Sequence, residues 1–492
     1  MKKLLLLILL FPLFSYANHL IVGSGSGTVS VTSMGSLSAG DTILVTHGSY
    51  SGGAVFGGIH DVTIINYGGV VTFTATVDFG NSGASIYDIT FTGTGDATHF
   101  YGFVFDGSGT FGTGPPGYPT GSGFRFTATT SYYIYMDHIY AFDLAPRNSS
   151  GGTTGSTNGN GSLWDLNVNT TTYNGTAASL KLQYAKFSYC KTYYCAYTYI
   201  SGNYGLPVGG DGLVDSVDFS YDSLMQVNSA GTYVGGNIFR MHVHHNWILY
   251  SGHNTNTGDQ GVFNNGGNGT FDHNYMYGGR GYLSRLFGCS ITGITGVATS
   301  WAYDNIILAT TAYAAFDWRS QSSIYYGGNP YLEHCNLMIV YNTVGNKTDD
   351  LGSYVAPIAT VDNLDSGATI KFYGNVGFNL KSDGVSYIAV NYSNGTWLTY
   401  GADTVGNNYA TAGNILTYLA DTVNCFLKPA TALINAGNPS SAIMAVVTTD
   451  FSGLTRPQGT SYDRGAREYP SSSPGCNCVA FFKGFKRYFV SK

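Results

Sequence analysis

The stretch from His242 to Arg285 concentrates the residues of this chain that could do chemistry. Five of the eleven histidines fall between 242 and 273, namely His242, His244, His245, His253 and His273. Asp259, Asp272, Arg280 and Arg285 lie in the same stretch. An imidazole can take or give a proton near neutral pH, and an arginine can neutralise a carboxylate so that the neighbouring C–H becomes removable. That combination suits proton abstraction followed by β-elimination. A hydrolytic alternative needs two carboxyl groups roughly 5–9 Å apart, for which Asp272, Asp304 and Asp317 are the available residues. Asp215, Asp218 and Asp222 are the nearest approach to a calcium cluster, and calcium is the one cofactor the sequence hints at.

The elements that must position these residues show themselves as a repeat. Short apolar or aromatic alternations run into a polar residue, usually Asn, followed at once by another apolar residue. The copies centre on Asn246, Asn274, Asn305, Asn336 and Asn375, with steps of 28, 31, 31 and 39 residues. Fainter copies upstream place Asp218 before Phe219, Lys186 before Phe187 and His138 before Ile139. A period of this size, built of short strands with Gly and Asn between them and no helical periodicity, predicts a coil of parallel strands in which each turn stacks on the last. Asn side chains at one bend of successive turns, about 4.8 Å apart, would then hydrogen-bond in a continuous ladder. The residue before each ladder Asn should face outward, giving a column of His245, His273, Asp304, Cys335 and Gly374. From that column and its surroundings, His245, His273, Asp304 and Arg280 are the candidate catalytic residues. Arg285, His244, Asp272 and Tyr275 are the candidate substrate-binding ones.

Composition agrees with this reading. Charged residues make up only 10% of the 492 positions, against 68 Gly, 40 Tyr and 28 Phe. Too few charges are present to clothe long amphipathic helices, and too many aromatics for a disordered chain. A formal charge of −6, from 22 basic and 28 acidic residues, disfavours nucleic acid as a partner. Residues 1–17 have the basic, apolar and small-residue order of a secretory signal, with cleavage expected after Ala17. No later segment is apolar enough to span a membrane. Cys190 and Cys195 are the pair worth testing for a disulfide.

The Asn-bearing copies resemble the right-handed parallel β-helix family of pectate-lyase-like proteins. So does a C-terminal stretch: Ala432 to Gly437, Asp450-Phe451-Ser452-Gly453, Arg456-Pro457 and Asp463-Arg464-Gly465-Ala466-Arg467-Glu468. It looks like the closing segment of many secreted β-helix proteins, although Asn435 stands where Asp is common. The resemblance implies an all-β, single right-handed parallel β-helix over residues 18–470. Residues 18–50 would cover its first end, residues 425–470 would close the last coil, and a tail of different composition would follow at 471–492. Asp450, Arg456 and Asp463 would pair in the closure. It further implies an exported or cell-surface protein that binds an extracellular polysaccharide along an outer groove, with lyase chemistry ahead of hydrolysis. A non-catalytic adhesive rod using outward tyrosines such as Tyr132, Tyr133 and Tyr135 is the alternative.

Overall fold

The computed structural model describes residues 18–80, 85–108, 123–126, 130–144, 162–166, 180–195, 197–200, 213–225, 238–249, 263–265, 268–278, 283–287, 298–309, 315–319, 335–346, 359–362, 370–378, 388–391, 408–410, 416–421 and 424–470. Residues 1–17 and 471–492, the excursion at 147–161, and His253, Asp259 and Arg280 lie outside them. Among the described residues, no helix is long and apolar enough to cross a membrane.

The protein is a parallel β-helix. Among the described residues, strands from successive turns join one 23-stranded sheet. The remaining face is divided between a six-stranded sheet in the first half and a five-stranded sheet in the second. Pairing is in register from turn to turn, as when Asp218 lies beside His242, His242 beside Thr270, and Thr270 beside Trp301. Parallel strands so connected wind right-handed. His19–Val22 pairs with Thr42–Val45, so the coil begins within residues 18–50.

Strand alternation sends one set of side chains inward, and in the first half phenylalanines join valines and isoleucines there. Phe56, Phe73, Phe79, Phe103, Phe105, Phe124 and Phe126 are all fully buried. Phe79 stacks on Phe56 at 5.5 Å and on Phe126 at 5.7 Å. Each such ring removed from water is worth roughly 1.5–3 kcal/mol, in a chain of which only 10% is charged.

The bend holds the ladder, with one member displaced. Asn246, Asn274, Asn305, Asn342 and Asn375 are fully buried, and each Asn side-chain Nδ2 of the first four donates to the next Oδ1 at 2.9–3.1 Å. Asn336 is not part of it. It sits six residues earlier on the strand Cys335–Val340, because the apolar run Leu337 to Val340 continues to Tyr341 before the chain bends. The ladder steps are therefore 28, 31, 37 and 33 residues. Upstream it continues through Asp222, whose N–H donates to Asn246 Oδ1 and whose Oδ1 accepts the Cys190 N–H. The copies placed at Asp218 and Lys186 are thus four residues out of phase. Burial of Asp222 without a counter-charge pushes its pKa well above the usual carboxylate range.

The residue before each ladder position takes a left-handed conformation. His138, Tyr189, Tyr221, His245, His273, Asp304 and Tyr341 have φ between 51° and 59°. A left-handed non-glycine residue costs roughly 1–2 kcal/mol. Here the cost is offset by ladder bonds that satisfy buried main-chain N–H groups. Cys335 does not belong to this column; Tyr341 takes its place. Cys190 and Cys195, the pair worth testing for a disulfide, are buried free thiols pointing to the carbonyls of Ser188 and Ala141 respectively. The extended strand Lys191–Tyr193 holds them apart.

The C-terminal segment closes the helix by folding back along its outside rather than by adding a coil. Leu419, Leu433, Phe451 and Ala466 pack on Tyr275, Ile306, Leu308, Val376 and Phe378. Ile443, Val447 and Tyr462 pack on Met338, Val340 and Tyr341. Arg456 does not pair with the Asp450 and Asp463 carboxylates. Its Nη2 donates to Asp304 at 2.6 Å and its Nη1 to Glu468 at 2.6 Å, all three residues being buried. Asp450 and Asp463 instead accept main-chain N–H groups within the segment.

Candidate functional site

Where the closing segment stops, the outer face of the long sheet is open and carries the histidines. Four strand ends line up there: Leu213–Ser220, His242–His244, Thr270–Asp272 and Ala298–Tyr303. On the second of these, Val243 points into the core while His242 and His244 face out, with His245 following at the bend. Register then places Asp218 beside His242, and Asp272 beside His244.

The polar atoms interlock. His242 Nε2 contacts Asp272 Oδ1 at 2.6 Å, and its Nδ1 is 3.6 Å from Asp218 Oδ2. His244 Nε2 meets the same Asp218 oxygen at 3.0 Å, and its Nδ1 meets His245 Nδ1 at 2.8 Å. The other Asp218 oxygen accepts the Ser220 hydroxyl at 2.7 Å. His273 Nδ1 contacts the second Asp272 oxygen at 2.7 Å. Rings stack as well: His242 on His244 at 4.1 Å, and His245 between Tyr221 at 4.8 Å and His273 at 4.7 Å.

These contacts set the charges. Burial opposes ionisation of Asp272, but hydrogen bonds from His242 and His273 hold its carboxyl well below the usual range. Asp218 is likewise lowered, with His244 overcoming burial. Burial works against charge on His242 and His273, yet Asp272 outweighs it and raises both. Burial and the neighbouring His273 and His244 push His245 down to about 3. Of the expected catalytic residues, His245 and His273 are thus brought together. His273 is only 6% exposed, with its Nε2 3.3 Å from the Thr449 hydroxyl of the closing segment.

Asp304 follows them in the column but is fully buried against Arg456. Burial lifts its carboxyl to about 7 against the pull of the guanidinium. Tyr275 is covered by Phe451 and Trp247. The backbone of Arg285 belongs to the five-stranded sheet, between Asn264 and Asp317, and not to the sheet bearing the histidines. Asp215, Asp218 and Asp222 do not form a calcium cluster. Asp215 is taken by Arg240, Asp218 by the histidines and Asp222 by the ladder.

Sequence reasoning passed over Asp218 as a partner of the histidines and left His242 outside the expected site. The pairs Tyr189-Cys190 and Tyr221-Asp222 carry the missing signal, an aromatic residue followed by a small or polar one just before a short strand. They fix the bend and, with it, the outward register of Asp218.

Upstream of the cluster the face is rich in aromatic rings, with Lys186 beside Asp218 in register. The bend column continues as His138, Tyr189 and Tyr221, stacked at 5.3 and 5.0 Å. Lys191 lies over Tyr140 at 4.9 Å, and Lys186 is 6.0 Å from the Tyr135 ring. Tyr133 and Tyr184 stack on each other and stay about half exposed. Because these rings spend their faces on one another, what they offer a ligand is chiefly edges and hydroxyl groups.

No family model matches the chain, and no curated protein matches it in sequence. Solved structures with some likeness include the mannuronan C-5 epimerase AlgE4 A-module of Azotobacter vinelandii. It is 10% identical, over 75% of this chain and 90% of that one, with a TM-score of 0.35. A PL6-family alginate lyase, AlyGC, is 11% identical over 91% of this chain and 59% of that one, with a TM-score of 0.36. Pectate lyase Pel9A is 15% identical over 88% and 89%, with a TM-score of 0.28. The parallel β-helix itself rests on the strand registers described above.

Proposed function

We propose that this chain is an exported or cell-surface β-helix protein that binds an acidic extracellular polysaccharide along the outer face of its long sheet and cleaves it by β-elimination at the histidine cluster. The observation that carries this reading is the convergence of His242, His244, His245, Asp218 and Asp272 on one open face beside a tyrosine-lined track that includes Lys186. Elimination requires a group to neutralise the uronate carboxylate, a base for the adjacent carbon-bound proton and a donor for the leaving oxygen. Lys186 on the face suits the first role, and His245, kept unprotonated by its surroundings and stacked on Tyr221 where the cluster meets the track, stands where the base must act. Tyr221 suits the donor role by position, its phenol being protonated at neutral pH and its ring stacked on His245. Asp304 serves in this reading as an anchor for Arg456 and not as a reacting group, and His273 orients Asp272.

The test is a panel of acidic and neutral polysaccharides incubated with the protein. New ultraviolet absorbance from unsaturated uronates on acidic polymers is the expected result. New reducing ends without that absorbance would replace elimination with hydrolysis. Binding with neither product would leave the adhesive rod, which the length of the tyrosine column favours.

A further inference from the structure

We infer that Asp218, His242 and His244 form a binding site for a divalent transition metal of the zinc class, a site distinct from any all-oxygen calcium cluster. The three residues sit on two adjacent strands, and their donor atoms lie within 4.8 Å of one another. Asp218 Oδ2 is 3.0 Å from His244 Nε2 and 3.6 Å from His242 Nδ1. Donors held about 2.0–2.2 Å from one small cation are separated by about 3.0 Å in octahedral and about 3.4 Å in tetrahedral geometry. The two observed separations bracket those values.

The atoms turned away from this point are each held by a second partner. His242 Nε2 is on Asp272 at 2.6 Å, His244 Nδ1 on His245 at 2.8 Å, and Asp218 Oδ1 on the Ser220 hydroxyl at 2.7 Å. A carboxylate, carbonyl or water behind each metal-binding imidazole is the usual way such ligands are oriented and kept basic, and here Asp272 takes that place behind His242 while the His245 ring holds His244. Here that support exists before any metal arrives, so binding needs little rearrangement beyond displacing the proton shared by Asp218 and His244. Two imidazoles and one carboxylate are a borderline N/O set, suited to zinc, cobalt, nickel or iron, whereas calcium takes six to eight oxygens. His242 is 42% exposed, so the remaining coordination positions open toward the proposed groove and can hold water or a carboxylate. A second grouping, His244, His245 and Asp272, competes for His244. It is the weaker choice because Asp272 is already engaged by both His242 and His273.

The inference stands apart from the polysaccharide reading because it is tested without polysaccharide. The full chain, produced without a polyhistidine tag and stripped with a chelator, is titrated with Zn2+ by calorimetry and with Co2+ by visible absorption. One equivalent is expected at this site, with a Co2+ spectrum unchanged by a hundredfold excess of Ca2+. Asp218→Asn and His242→Ala should each weaken binding by more than about 100-fold, and Asp272→Asn by about 10–100-fold, with circular dichroism unchanged. His99→Ala, at an exposed histidine elsewhere, should leave it as it was. Failure to bind, binding that survives Asp218→Asn, or displacement of Co2+ by Ca2+ would each overturn the assignment.

Discussion

Replacing Asn305 by alanine removes the middle rung of the ladder. Its Oδ1 accepts both the Asn274 main-chain N–H, at 3.0 Å, and the Asn274 Nδ2, at 2.9 Å. Its Nδ2 donates to the Phe271 and Tyr303 carbonyls and to Asn342 Oδ1. Alanine leaves two buried donors on Asn274 short of an acceptor, and no water reaches either residue, since both are fully buried. At roughly 1–3 kcal/mol for each orphaned group, the two donors together cost about 2–6 kcal/mol. That is a large part of the roughly 5–15 kcal/mol that holds a folded protein together. Urea unfolding followed by fluorescence should show the loss as a lowered midpoint. Hydrogen exchange at the amides of residues 274 and 305 should accelerate more than at the distant turn containing Thr42–Tyr50. A loss below about 1 kcal/mol, or exchange that quickens equally everywhere, would refute the view that the ladder is a continuous buried structure.

Asp222→Asn should stabilise the protein at neutral pH, because asparagine continues the ladder without a charge to bury. Since the Asp222 pKa is raised on folding, its contribution is fully present below the unfolded value and lost as pH rises through the folded one. The melting-temperature advantage of the variant should therefore widen from acid toward neutral pH, and a constant difference would contradict the assignment. Arg456→Met leaves Asp304 and Glu468 buried without their counter-charge and should cost about 3–5 kcal/mol in thermal unfolding, partly recovered by adding Asp304→Asn. An unchanged melting temperature would mean that the closing segment is not held there. Lys186→Gln and Lys191→Gln should each weaken binding of an acidic polymer by about 1.4- to 5-fold at low salt and leave a neutral polymer unaffected. Equal effects on both polymers would remove charge from the account.

The fold was legible in the sequence because one bend repeats a chemically demanding residue. Asn246, Asn274, Asn305 and Asn375 stack as their spacing predicts. The phase slipped where the ladder position is Asp222 or Cys190, and at Asn336, where a nearby asparagine imitated the motif. A tyrosine in the left-handed conformation, as at Tyr189, Tyr221 and Tyr341, is intrinsically unfavoured, so local propensity does not announce it. The pairing of His245 with His273 followed from the correct copies. The burial of Asp304 did not, because it depends on Arg456, 152 residues away, and no local pattern encodes that contact. His242 and Asp218 emerged as partners only once register was known, since a shift of four residues moves a carboxylate from the interior to the outer face.

The most direct test of the outer-face centre is the rate at which His245→Gln forms unsaturated uronate from the preferred acidic polysaccharide, measured beside its binding constant for the same polymer. Loss of at least about 100-fold in kcat with binding kept within a few-fold is the expected outcome. A variant that binds and cleaves as the parent does would place the chemistry elsewhere on the helix.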